Sequence, residues 1–204
     1  MNKKQDVKII VLFAIMGIII FGIVGYKVYN DFFSDNTPDK KLLSLDLYGY
    51  TLSKNDTTLY KDNFKALEKT LNETPINYEE YAKLLSKLFI IDVFTLNNKL
   101  SSTDIGGLEF LYKPLRENFK ENMGNTMYKN IEINLDGKRT QNLPEVTSVE
   151  VSNIIETKYT YEKVDYEAYL VTLNWEYKQD LGYLKTMKLT LIKDSNMLHI
   201  VKGE

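Results

Sequence analysis

The sequence predicts an α+β protein: an N-terminal transmembrane helix, then about three helices packed on a curved antiparallel sheet of about four long strands. Three observations predict it. An uncharged apolar run fills residues 9–26, helical periodicity dominates from 57 to about 122, and two-residue alternation takes over after about residue 128. The 204 residues allow one ordinary domain plus an appendage. The expected organisation is a cytoplasmic tip and anchor over 1–30, a linker over 31–43 and an extracytoplasmic domain over 44–204.

Ile9 to Tyr26 (IIVLFAIMGIIIFGIVGY) is bracketed by Lys8 and Lys27. At 1.5 Å per residue such a run spans about 27 Å, close to the thickness of a bilayer core. Only a helix satisfies its backbone there, and the two lysines can reach the interfaces. Lys3, Lys4 and Lys8 favour a cytoplasmic N-terminus, although Lys40 and Lys41 soften the contrast. A cleaved signal peptide is the competing reading. The run is longer than a usual signal core and no A-x-A-like site follows it, which favours an uncleaved anchor. Gly17, Gly22 and Gly25 lack the spacing of a glycine dimerisation motif.

Residues 30–43 are polar, contain Pro38 and read as a linker. Ser44 to Leu52 reads as a short strand or an extended segment, with Gly49 marking a bulge or close approach. Ser53 or Asp56 can cap a first helix over about 57–71, whose Tyr60, Phe64, Leu67 and Leu71 share a face. Asn77 and Glu80 have capping-box spacing for a second helix over about 78–96. Its Leu84, Leu85, Leu88, Phe89, Ile91 and Val93 leave little polar surface, so it should be the buried central helix. Thr103 or Asp104 can cap a third helix over about 108–122, which Pro114 must kink or split.

Residues 129–139 then suggest a strand leading into a turn. A long strand should run from Glu145 to Tyr161, with Val149, Val151, Ile155 and Tyr159 on one face. A second should run over Tyr166–Lys178, with Tyr169, Val171, Leu173, Trp175 and Tyr177 on one face. Others should follow over Tyr183–Ile192 and Met197–Gly203. Turns this short make consecutive strands antiparallel, and the helices upstream must cover the apolar face.

With 26 Lys+Arg against 28 Asp+Glu, the chain lacks the basic surplus of a nucleic-acid binder. Removing the charges of residues 1–30 leaves 22 positive and 27 negative, a mildly acidic domain. The absence of cysteine excludes disulfides, thiol nucleophiles and Cys zinc sites. A single His199 reads as a packed or surface residue rather than a catalyst. No catalytic, cofactor or metal site is expected: Thr103–Gly107 lacks the lysine of a phosphate loop, and the acidic clusters lack calcium-loop spacing. Asp136–Arg139 reads as a solvated turn.

Two features invite a ligand pocket. Asp92 lies in LFIIDVF, where burial could raise its pKa, although hydrogen bonds from a neighbouring loop or a polar helix face account for it as well. Tyr169, Trp175 and Tyr177 could line a concave sheet face, or simply pack there.

The order of anchor, helices and strand meander resembles the nuclear-transport-factor-like (cystatin-like α+β) superfamily. With its anchor the chain is similar to the VirB-eight family of bitopic subunits in type IV secretion and conjugation channels. The segment LFIIDVFTLNNKLSSTDIGG is similar to one found in anchored proteins of low-GC Gram-positive bacteria. The anchor and the absence of a catalytic constellation predict a non-enzymatic, single-pass protein at the cell membrane. Its outer domain would bind protein partners in an envelope assembly, or itself. A small-molecule or lipid site between sheet and helices, with or without chemistry, is the alternative.

Overall fold

The structure is a computed structural model and describes residues 41–204. The anchor expected at 9–26, the tip and most of the linker lie outside the described residues. Among the described residues no helix is long and apolar enough to cross a membrane.

The first departure from expectation is at the start of the domain. Residues 44–52 are not one strand but the two arms of a hairpin, β1 (Lys41–Leu45) and β2 (Tyr50–Ser53). The chain turns at 46–49, where the N–H groups of Tyr48 and Gly49 both donate to the Leu45 carbonyl. Gly49 has φ +74°, a conformation that a glycine adopts without steric cost. The turn lifts Leu47 into solvent, 85% exposed. β1 also begins inside the stretch expected to be linker.

Helix α1 (Thr58–Leu71) is capped by Thr57, whose side chain accepts from the Tyr60 N–H, rather than by Ser53 or Asp56. Asp56 accepts from the Ser53 N–H at 2.7 Å instead. The expected face of Tyr60, Phe64, Leu67 and Leu71 is buried. Helix α2 (Tyr78–Phe94) starts as expected, with Asn77 accepting from the Glu80 N–H, and is buried on nearly every side. Past its end, the N–H groups of Leu96 and Asn97 share the Pro144 carbonyl, and Thr95 Oγ1 accepts from the Val146 N–H. The central helix is thereby fixed to the start of the sheet.

Pro114 splits the third helix. Two 3-10 turns (Leu108–Phe110 and Lys113–Leu115) precede α3 (Arg116–Asn125). Thr103 and Asp104 cap neither; Asp104 closes its own loop by accepting from the Leu100 N–H at 2.8 Å.

Residues 129–139 form no strand. Ile133 and Leu135 are 71% and 68% exposed, and the stretch is held by Arg139. Its guanidinium donates to the carbonyls of Leu96, Asn97, Lys99 and Glu132, so Arg139 is a pin rather than a solvated tip.

The sheet is an antiparallel meander in the order β3 (Val146–Tyr161), β4 (Val164–Tyr177), β5 (Thr186–Asp194), β6 (Met197–Gly203). Glu162 and Lys163, at φ +48° and +69°, close the two-residue β3–β4 turn. The inner face of β4 is the expected one: Tyr169, Val171, Leu173, Trp175 and Tyr177 are all buried. β3 departs from its expected parity. The register shifts between Val151 and Asn153, so Ile154 packs toward the core with Val149, and Ile155 turns outward, 47% exposed. The outer edge of β6 is partly covered, since the Tyr112 N–H donates to the Ile200 carbonyl and Leu111 bridges Ile200 in parallel. β3 has β4 as its one strand neighbour among the described residues.

Candidate functional site

Asp92 sits on the last turn of α2, where the chain leaves the helix and loops back over it. One carboxylate oxygen is paired with the Lys99 ammonium, and the other accepts from the Gly107 N–H at 2.6 Å. Lys99 is only 5% exposed. Burial alone would lower its pKa. The charge of Asp92, assisted by Tyr128 and Asp104, more than offsets this and raises it. The Tyr128 hydroxyl donates to the Val93 carbonyl at 2.7 Å and accepts from the Gly106 N–H. Two glycines permit the approach. A Cβ on Gly106 would lie 2.3 Å from the Asp92 carbonyl oxygen, and one on Gly107 2.5 Å from Val93 Cγ2.

Glu109 follows on the first 3-10 turn and reaches the hairpin. It accepts from the Thr51 N–H and hydroxyl, at 3.1 and 2.9 Å, and from the Tyr60 hydroxyl at 3.4 Å. Burial raises its pKa, and the Asp92 charge adds to that; the donated hydrogen bonds oppose both and leave it at about 7. Burial, with Glu109 adding, likewise raises Tyr60 well above an ordinary tyrosine. These groups line a polar cleft of about 130 Å³. Each of its carboxylates is already engaged: Asp92 by Lys99 and Gly107, Asp104 by Leu100, Glu109 by Thr51 and Tyr60, and Asp56 by Ser53. Among the described residues no group of acidic or histidine side chains could hold a metal ion. The arrangement clips the 95–110 loop to α2 and the hairpin.

The Glu109 clip makes stability depend on pH. The folded chain takes up a proton near pH 7, whereas an unfolded glutamate does so near 4.5. Between those values the folded state binds more protons, so its stability is fully present below about 4.5 and is lost as pH rises through about 7. That separation is worth about 2–3 kcal/mol after allowance for partial exposure. Urea unfolding at pH 5 and pH 8 should show that gain on acidification. Glu109→Gln should remove most of it, and an unchanged slope in that variant contradicts the assignment.

An apolar groove of about 300 Å³ lies between the helices and the far half of the sheet. Phe89 and Val93 of α2, Phe119 and Met123 of α3, Met187 of β5 and Ile200 of β6 form much of its wall. The Phe89 and Phe119 rings approach to 5.9 Å. Its polar residues are Asn118 and Asn122, which hydrogen-bond each other, and Lys202, which is paired with Glu204.

Asp92 and the aromatic residues suggested by the sequence are not brought together. Asp92 lines the polar cleft, whereas Tyr169, Trp175 and Tyr177 line neither cavity. Trp175 packs on Phe94 with ring centroids 4.9 Å apart. The Tyr177 hydroxyl donates to the Leu184 carbonyl, and that of Tyr169 to Glu156. His199 is half-buried against Tyr112; burial lowers its pKa, Arg116 adds to that and Asp194 opposes it. Sequence reasoning missed Glu109 and the groove, since neither is encoded in a local spacing. Leu108-Glu109-Phe110 looks like any half-exposed turn until folding brings Thr51 and Tyr60 to it. Compared with known proteins, the chain matches no family model, no curated protein and no solved structure.

Proposed function

We propose that the chain is a single-pass membrane protein, tethered through residues 9–26 with its N-terminus in the cytoplasm. Its extracytoplasmic α+β domain binds an apolar segment of a partner protein in a cell-envelope assembly of the secretion or conjugation type, and performs no chemistry. The observation that carries this reading is the open groove walled by Phe89, Phe119, Met123 and Met187. About 300 Å³ accommodates a few apolar side chains of a docked helix or strand, and methionines adapt to varied partners. A membrane tether raises local concentration, so weak contacts suffice. The engagement of Asp92 by Lys99 and Gly107, and of Glu109 by Thr51 and Tyr60, supports a structural rather than a catalytic role for both.

Placement of the groove between helices and sheet favours a second reading, a small apolar molecule or one lipid chain. Its volume lies at the lower bound of the roughly 300–1,000 Å³ range of ligand pockets. A photo-crosslinking amino acid at Met123 of the full chain, activated in membranes, separates the two. The proposal expects discrete protein adducts that Met187→Glu abolishes. Lipid adducts alone would move the conclusion to the second reading, and no adducts at all would overturn both.

A further inference from the structure

We infer that the outer edge of β3 pairs antiparallel with β3 of a second copy, across a two-fold axis at Thr157, joining two sheets into one. The pairing stands on the sheet alone and is independent of what fills the groove. The two edges of the sheet differ: residues 111 and 112 run beside β6, while among the described residues no strand lies beside β3. An unpaired edge of a long regular strand is a template for another strand.

The register of the β3–β4 hairpin says which groups are free. Tyr161 and Val164 flank a two-residue turn and therefore exchange backbone hydrogen bonds. Tyr159, Thr157 and Ile155 then also turn their backbone groups toward β4, at Tyr166, Ala168 and Leu170. Ile154, Glu156, Lys158 and Thr160 turn theirs outward. The register shift at Val151/Asn153 ends this regular stretch on one side and the turn ends it on the other.

Within 153–161 the sequence NIIETKYTY is complementary to itself when reversed. With Thr157 opposite Thr157, Glu156 faces Lys158 of the second copy and Lys158 faces its Glu156. Ile154 faces Thr160 in the same way, so residues with outward backbone groups oppose each other, as an antiparallel ladder requires. On the other face the outward Ile155 meets Tyr159, an aliphatic–aromatic cross-strand pair. Glu156, Thr157 and Lys158 are exposed, and Ile155 is 47% exposed. Opposite charges facing each other twice distinguish this register from its neighbours, which would set Glu156 or Lys158 opposite itself. A closed two-fold pair also leaves no further β3 edge to propagate a filament.

The chain has no cysteine, so one introduced thiol reports cleanly. In the full chain in its membrane, Thr157→Cys would lie on the axis at a non-hydrogen-bonded pair. Its Cα atoms would be about 4.5 Å apart, within disulfide range. Ser148→Cys, exposed on the same strand, would be about 60 Å from its counterpart. Mild oxidation should give a covalent dimer for Thr157→Cys and none for Ser148→Cys. Adding Lys158→Glu should lower the dimer fraction roughly fivefold or more, since like charges then face each other twice. The double reversal Glu156→Lys with Lys158→Glu should restore it. Equal cross-linking at 148 and 157, no cross-linking at 157, or indifference to Lys158→Glu would each overturn the pairing.

Discussion

Lys99→Met should destabilise the domain by about 3–5 kcal/mol, because it leaves the Asp92 carboxylate in the protein with one N–H for company. The ammonium it removes is 5% exposed and touches a carboxylate that also holds Gly107. Asp92→Asn should be comparably costly, since it strands the Lys99 charge. The double variant should cost far less than the two together, with a coupling of about 2 kcal/mol or more, because each single change strands a charge, buried for Lys99 and partly buried for Asp92, and the double change strands none. Trp175, the sole tryptophan, is buried against Phe94 and gives a fluorescence signal for urea unfolding. Additive effects below about 1 kcal/mol each would make the pair an ordinary surface contact.

Gly107→Ala should be at least as damaging, at about 3 kcal/mol or more. Gly107 has φ +79°, which costs an L side chain about 1–2 kcal/mol by itself. Its Cβ would also meet Val93 at 2.5 Å and Phe89 at 2.8 Å, so both side chains would have to shift. Gly124 supplies the contrast. It lies in α3 with nothing within 4 Å of an added Cβ, so Gly124→Ala should stabilise by about 0.5 kcal/mol. Equal effects at the two positions would mean that the 95–110 loop does not clasp α2 as described.

Local chemistry accounts for what was legible in the sequence. The Asn77 cap, the continuous apolar character of α2 and the alternation from Tyr169 to Tyr177 are short-range patterns, and the structure places each as read. The misses arose where one residue redirected the chain. Gly49 folded an expected strand into a hairpin, and the register shift after Val151 exchanged Ile154 for Ile155 on the inner face, whereas the split at Pro114 is the one its ring foretells. The polar cleft was half legible. Asp92 stood out as a carboxylate in an apolar helix, and its explanation by loop hydrogen bonds is the one the geometry supports. Lys99, Glu109 and Arg139 gave no signal, because their partners are set by tertiary folding across 7 to 58 residues of sequence. Tyr169, Trp175 and Tyr177 do share one face of β4, as their alternation predicts, but the helices pack onto that face, with Phe94 against Trp175.

The proposed role depends first on where the domain stands relative to the membrane. Protease added to cells stripped of their wall, with a cytoplasmic protein as the internal standard, tests this most directly. The domain should be digested while the standard survives, and the undigested chain should retain its first 30 residues and stay with the membrane. A domain protected until the cells are lysed, or one released to the medium without those residues, would contradict it.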